Sequence, residues 1–286
     1  MSKTVKTSRT VKDLRKQIAK WREAGKTVAL VPTMGALHDG HLALVRFAKK
    51  KADRVVVSIF VNPTQFAPTE DLGRYPRDEA GDLAKLASVA ADLVWAPAVE
   101  EMYPDGFSTS IVPGSAAEDM EGAIRPHHFG GVATVCCKLF SQVTPDFAVF
   151  GEKDYQQLTV LRQMVRDLNL PLKIVGATTE RAKDGLALSS RNAYLSEQQR
   201  KIAPALYAVI SAVATDVGAG ADIPASLAQA KRKLLAAGFA SVDYIEVRDA
   251  ETLSKVERAD GHPLRVLAAA RLGKTRLIDN VAVRRA

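Results

Sequence analysis

Between Thr27 and Ala177, short apolar runs alternate with segments of helical period, and few folds accommodate that pattern. The runs are Thr27–Val31, Arg54–Val61, Ala91–Trp95, Asp146–Phe150 and Lys173–Ala177. They are largely continuous rather than alternating, as expected of strands covered on both faces. The stretches between them, His41–Ala52, Asp78–Ala87, Val132–Val143 and Gln156–Leu168, read as helices. Such an order predicts a parallel sheet with helices on both sides, and ligands then bind at the carboxyl ends of strands. Ahead of the first run, Thr10 with Asp13 predicts a capped helix whose Leu14, Ile18 and Trp21 share a face and which Gly25 ends.

After about Glu180 the pattern changes. Ser196-Glu197-Gln198-Gln199 predicts a capping box opening a helix through about Ala214, and Gly218-Ala219-Gly220 interrupts. A second helix is expected over Ile223–Ala237, ended by Gly238. Val242–Val247, Leu264–Ala270 and Arg276–Asn280 predict strands of a small antiparallel sheet. The expectation is an α/β parallel-sheet domain over residues 1–179 and a smaller α+β domain over residues 180–286. A chain of 286 residues has room for both.

Composition narrows the function classes. Hydrophobic residues at 47% and charged residues at 25% describe an ordinary globular protein. No 18-residue window is wholly apolar, so no membrane span is expected. Met1 to Arg15 lacks an apolar core and does not read as a secretory signal. The two cysteines, Cys136 and Cys137, are adjacent and flanked by apolar residues, which suggests buried thiols in a reducing, cytoplasmic setting. The formal charge of +8 raises the question of a nucleic acid, but the excess is dispersed: residues 1–179 hold 23 Lys and Arg against 20 Asp and Glu, and residues 180–286 hold 17 against 12. A compact polyanion such as a nucleotide suits that balance as well as RNA does.

The richest segment is Val31-Pro32-Thr33-Met34-Gly35-Ala36-Leu37-His38-Asp39-Gly40-His41-Leu42, between a predicted strand and a predicted helix. Backbone N–H groups at a helix start point at a docked anion, and Gly35 and Gly40 allow close approach of a phosphate. His38 and His41 can each donate to a phosphate oxygen as charge builds. Taken alone, two histidines at a turn would more often be a solvated loop. A metal centre is less expected, because no Cys or third His lies at ligand spacing. Phe60-Val61-Asn62-Pro63-Thr64-Gln65-Phe66 leaves the second run, and its amides Asn62 and Gln65 suit a hydroxylated substrate. Phe150-Gly151-Glu152-Lys153-Asp154-Tyr155-Gln156-Gln157 leaves the fourth, with a cation and a carboxylate apt for phosphate with Mg²⁺. Asp184-Gly185-Leu186-Ala187-Leu188-Ser189-Ser190-Arg191-Asn192 offers hydroxyls and a guanidinium that could grip a pyrophosphate. Arg125-Pro126-His127-His128-Phe129-Gly130-Gly131-Val132 is a further basic, glycine-containing helix entrance.

As an ordered set these motifs resemble the pantoate–β-alanine ligases (pantothenate synthetases) of the HxGH nucleotidyltransferase superfamily, over roughly Val31 to Leu195. The resemblance implies a Rossmann-like N-terminal domain, a smaller lid domain, a homodimer, and ligation of (R)-pantoate to β-alanine with ATP split to AMP and pyrophosphate in the presence of Mg²⁺. It implies that Met34, Gly35, Ala36, Leu37, His38, Asp39, Gly40 and His41 form the ATP turn, with His41 as proton donor. Gly151, Glu152, Lys153, Asp154, Glu180 through its backbone, Leu188, Ser189, Ser190 and Arg191 match the remaining ATP contacts. Catalytic roles fall to His38, His41, Lys153, Ser189 and Arg191, with Asp154 the side chain named for Mg²⁺. Gln65 and Gln157 match the pantoate-binding glutamines, and Gln65 also the β-alanine site. Two departures are His127, where the family often has Gly, and Ser141, where it has Asn. No nucleic acid or membrane partner is implied. Two other classes compete: a nucleotidyltransferase whose product keeps the nucleotide, and an RNA-binding synthetase fragment, against which the absence of a KMSKS-like lysine loop counts.

Overall fold

The computed structural model describes residues 5–67, 71–259 and 261–284. Two compact units are present: residues up to Glu152 with Gln156–Thr178, and Lys153–Tyr155 with Thr179 onward.

Unit 1 contains β1 (Thr7–Ser8), α1 (Val11–Glu23), β2 (Val28–Thr33), α2 (Asp39–Lys49), β3 (Arg54–Ile59), α3 (Glu79–Ser88), β4 (Leu93–Trp95), α4 (Val99–Met102), α5 (Glu121–Ile124), α6 (His128–Val143), β5 (Phe147–Gly151) and β6 (Lys173–Ala177), with α7 (Tyr155–Asp167) entering it at Gln156. The strands form one sheet in the order β1-β4-β3-β2-β5-β6, all pairs parallel, which is a Rossmann-like doubly wound arrangement. Both faces are covered, so the strands are apolar throughout. Val31, Val55 and Val57 pack with Leu42 and Val45 of α2 and Leu86 of α3. Trp95 is fully buried, and its indole donates to Gln142 Oε1 of α6 at 3.1 Å.

After the short edge strand β1, the chain enters the middle of the sheet at β2, moves outward through β3 and β4, and returns to place β5 on the other side of β2, so the order reverses between β2 and β5. The β2–β3 ladder runs six residues, from Val28↔Arg54 to Thr33↔Ile59, whereas β2 meets β5 only at Ala29↔Phe147 and Leu30↔Ala148. Beyond Leu30 the two strands are not bonded to each other, which opens the sheet at its carboxyl edge where such folds take ligands.

The five expected strands and four intervening helices are present, with shifted ends. Helix α6 begins at His128, four residues earlier than expected, because Gly130 and Gly131 mask the apolar spacing of its first turn. Gly131 is required there: a Cβ would lie 2.4 Å from the Thr64 carbonyl oxygen. The two-residue β1 is too short to leave a pattern.

Unit 2 contains α8 (Glu197–Ile202), α9 (Ala205–Gly218), α10 (Ile223–Ala236) and an antiparallel sheet of β7 (Ser241–Asp249), β8 (Leu264–Leu272) and β9 (Thr275–Ala282) in sequence order. The single helix expected after Ser196 is instead two. Pro204 has no N–H to continue the ladder, so α8 closes at Ile202 and α9 begins at Ala205. The run Glu197–Gly218 is long and apolar enough to cross a membrane by length and composition. Its apolar residues have a different partner: Leu206, Ile210, Val213 and Val217 bury against Leu234 of α10 and Val266, Ala268 and Ala270 of β8.

Candidate active site

In unit 1 the site is built at the end of β2. Thr33 closes the strand by donating its hydroxyl to the Ser58 carbonyl (2.6 Å) and accepting the Gly35 amide (3.3 Å). The chain then turns through two successive positive φ values, Gly35 at +79° and Ala36 at +50°. Asp82 of α3 fixes this turn. Its carboxylate, 1% exposed, accepts the Leu37 amide at 2.8 Å, while Lys85, one turn on, donates to the Leu37 carbonyl at 2.8 Å. One residue's two backbone groups are thus held from one helix.

The turn delivers His38 as the N-cap of α2. Its Nδ1 accepts the Gly40 amide at 3.1 Å, and His41 Nδ1 accepts the His38 amide at 3.4 Å, so the capping box consists of two imidazoles with ring centroids 4.1 Å apart. An Nδ1 that accepts fixes the neutral tautomer, with the proton on Nε2. Both rings are therefore N–H donors at Nε2 beside a helix N-terminus, an arrangement suited to an anionic ligand.

Asn62 and Gln65 follow β3. Asn62 is 1% exposed and is committed inside the protein: Oδ1 accepts from Thr64 Oγ1 (3.0 Å) and Tyr103 OH (2.8 Å), and Nδ2 donates to the Gly131 carbonyl (3.1 Å) and Gln65 Oε1 (3.2 Å). Gln65 Nε2 lies 3.0 Å from Met34 Sδ, which brings the Asn62–Gln65 turn to the β2 turn. The Gln65 carbonyl also meets His128 Nδ1 at 3.1 Å, so the RPHHFGG segment supports this turn from α6.

The glutamine pair on α7 divides its roles. Gln156 is buried and bonds the Glu121 amide and the Ala116 and Asp119 carbonyls at 2.8–3.1 Å. Gln157 is half-exposed and makes no side-chain hydrogen bond among the described residues. Gly151, last residue of β5, pairs with Ala177, and Glu152 follows it.

Unit 2 holds the remaining predicted residues. Lys153 is mostly buried, with Nζ 3.6 Å from the half-exposed carboxylate of Asp154. Glu180 accepts the Leu188 amide at 2.9 Å, closing a short hairpin in which Arg181 bridges to Ala187. Ser189 then caps a 3₁₀ turn, Ser190–Tyr194, by accepting the Arg191 amide at 3.3 Å. Arg200 beside Asp184 holds that carboxyl below its usual range.

Among the described residues no cluster of three His, Cys, Asp or Glu side chains could form a metal cage. The sequence reading missed Asp82, Lys85 and Gln156 as site-building residues. The signal for Asp82 was present: it shares the inward face of α3 with Leu86, and a carboxylate on an apolar face needs a partner.

A donor-bearing turn at the switch point of a doubly wound sheet defines a Rossmann-like nucleotide-binding protein. The family model for pantoate–β-alanine ligase matches residues 6–282. Pantothenate synthetase from a Bradyrhizobium species is 55% identical over 284 residues, covering 99% of this chain and all of that protein. Pantothenate synthetase from Thermus thermophilus superposes with a TM-score of 0.91 at 47% identity, covering 98% of this chain and all of that one. The Francisella tularensis ligase, solved with β-γ ATP and β-alanine, gives a TM-score of 0.81 at 34% identity over 97% of each chain. The chain belongs to the pantoate–β-alanine ligase family.

Proposed function

We propose that this chain joins (R)-pantoate to β-alanine through a pantoyl-adenylate. Family membership supports the ligation, and the two-imidazole capping box at the end of β2 carries the residue-level reading. A carboxylate acylates poorly because its leaving group would be an oxide. In the first step a pantoate carboxylate oxygen attacks the α-phosphorus in line, and the bond to pyrophosphate breaks. The Nε2–H groups of His38 and His41, with the N-terminus of α2, stabilise charge growing on the phosphate oxygens. Met34, Gly35, Ala36, Leu37, Asp39 and Gly40 shape the turn that receives ATP, with Gly151 and Glu152 across the switch point. In unit 2, Lys153, Asp154, Glu180 through its backbone, Leu188, Ser189, Ser190 and Arg191 hold the nucleotide.

In the second step the neutral amine of β-alanine attacks the acyl carbon and AMP leaves with the former carboxylate oxygen. Gln65 and Gln157 bind pantoate, Gln65 reaching β-alanine as well, and Asn62 acts by orienting Gln65. ATP enters as its magnesium complex. A hard cation of this kind needs only one or two protein carboxylates, and the half-exposed Asp154 would be the one to hold it, where it would neutralise phosphate charge. Unit 1 serves as the nucleotide- and pantoate-binding domain and unit 2, which also takes in Lys153–Tyr155, as a lid domain. The protein works as a cytoplasmic homodimer on small molecules. Exposed Val112, Phe107 and Val99 on unit 1 offer apolar surface to a second copy.

The test is product analysis with ¹⁸O-carboxylate pantoate. Pyrophosphate should form without β-alanine, and labelled AMP should appear once the amine is added. ADP as product, or unlabelled AMP, would replace the adenylate with another activated acid.

A further inference from the structure

Two adjacent residues of β9 reach both of the unit 2 segments assigned to the nucleotide. Successive strand residues point to opposite faces of a sheet. Asp279 lies on the face that packs against the helices. It takes the Arg181 guanidinium in two bonds, 2.6 and 2.9 Å, while that guanidinium stacks 3.8 Å from the Tyr207 ring centroid of α9 and donates to the Gly185 carbonyl at 3.0 Å. Arg181 belongs to the hairpin that ends at Leu188, so Asp279 anchors the base of the Leu188–Arg191 segment.

Asn280 lies on the other face. Its Nδ2 donates to the Lys153 carbonyl at 2.8 Å, and its Oδ1 accepts Arg265 Nε at 2.6 Å. The Arg265 guanidinium sits 3.7 Å from the Tyr155 ring centroid, and the Tyr155 hydroxyl donates to the Ala250 carbonyl at 2.8 Å. Three bonded or stacked contacts therefore fix the three residues Lys153–Tyr155 on the sheet. Asp279, Asn280 and Arg265 are 4%, 3% and 9% exposed. Polar side chains buried to that degree are as a rule hydrogen-bonded, and here Asp279 holds the Arg181 guanidinium, Asn280 holds the Lys153 carbonyl and Arg265, and Arg265 stacks on the Tyr155 ring.

We propose that Asp279 and Asn280 are positioning residues for ligation: one strand sets both the Lys153 segment and the Leu188–Arg191 segment. The proposal rests on the assignment of those segments to the ATP phosphates above. It gives the C-terminal sheet a part in adenylation without any of its side chains touching substrate.

The decisive variant is Asn280→Asp, which keeps an acceptor for Arg265 and removes the donor to Lys153. Displacement of a catalytic group by about 1 Å costs on the order of 100-fold in rate, so pyrophosphate formation at saturating pantoate should fall roughly 10- to 100-fold. Pantoate affinity by calorimetry should stay within about twofold. In a Lys153→Ala background Asn280→Asp should add little, whereas a merely structural residue would lower both backgrounds by the same factor. Should Asn280→Asp not fold, Arg265→Lys keeps the charge, loses the planar stack, and must show the same split. A folded variant with wild-type ATP kinetics overturns the proposal. Lys153→Ala and Arg191→Ala separate the two levels. If both are silent, the phosphate assignment fails and takes the proposal with it; if both are impaired while Asn280→Asp is not, only the positioning role fails.

Discussion

Replacing Asp82 tests whether the donor geometry of the β2 turn is imposed from α3. In Asp82→Ala the Leu37 amide, held at 2.8 Å in a fully buried setting, loses its acceptor. An unsatisfied buried donor costs about 1–3 kcal/mol. The ion pair with Lys85 adds little, because the groups are 3.9 Å apart and the lysine side chain is 45% exposed. A domain of this size loses roughly 2–4 °C in Tm per kcal/mol, so a fall of about 2–12 °C is expected. The larger effect should be kinetic. Gly35 and Ala36 both hold positive φ, and Asp82 is the buried side chain that fastens the amide of the residue after them, with Lys85 on its carbonyl. A turn relaxed by about 1 Å would withdraw His38 and His41 from the phosphate at a cost on the order of 100-fold. Asp82→Asn keeps an oxygen for Leu37 and should retain most of both properties. The assays are pyrophosphate release from ATP with pantoate and a thermal melt. A folded Asp82→Ala enzyme within twofold of wild type would show that the turn holds its shape unaided.

Other substitutions test separate parts of the site. Losing a transition-state donor typically costs ~10²–10³ in rate; His41→Ala should therefore lower adenylate formation by that factor while ATP still binds by calorimetry. Gln157→Ala should weaken pantoate binding with an unchanged melt. Gln156→Ala should do the reverse, since it unpairs one amide and two carbonyls in the core at about 1–3 kcal/mol each; equal behaviour of the two would remove the division of roles. Gly35→Ala should lower stability and rate together, because φ is +79° and the new Cβ would stand 3.0 Å from Asp82 Oδ2. Burial pushes the Cys136 thiol up to about 12, so the native protein should resist iodoacetamide there at pH 8, and rapid labelling at Cys136 would contradict its packing.

What the sequence made legible follows its periodicity. Continuous apolar runs such as Val28–Thr33 and Arg54–Ile59, too short for buried helices and alternating with helical segments, identify a sheet buried on both faces. Capping residues mark where α1 and α8 begin, since Thr10 and Ser196 each accept the amide that the motif requires, whereas α2 opens two residues before the expected His41, with His38 as its cap. Motif order marks His38, His41, Gln65 and Gln157. Residues that act at a distance in sequence leave only a weak trace. Asp82 meets Leu37 across 45 positions, Asn62 meets Gly131 across 69, and Asn280 meets Lys153 across 127. Nothing local distinguishes such a side chain from a surface one, except that Asp82 and Arg265 each interrupt an apolar face.

The capping box also explains why histidine suits these two positions better than the serine or aspartate that usually caps a helix. A serine at the cap would satisfy the same amide and then have no second polar atom to offer. An aspartate would satisfy it and repel the phosphate. Imidazole has two nitrogens on opposite sides of one ring, so Nδ1 can serve the backbone while Nε2–H faces outward as a donor. The same bond that builds the helix start therefore selects the tautomer that the proposed chemistry needs, and it does so twice: the Gly40 amide sets the His38 ring and the His38 amide sets the His41 ring. His38→Asn separates the two duties: its amide oxygen can cap Gly40, but the shorter side chain cannot project a donor to the same point. The helix should remain, by circular dichroism and melt, while adenylation falls. If the rate survives, the outward donor of His38 is dispensable, and the pair is a structural cap around a single catalytic His41.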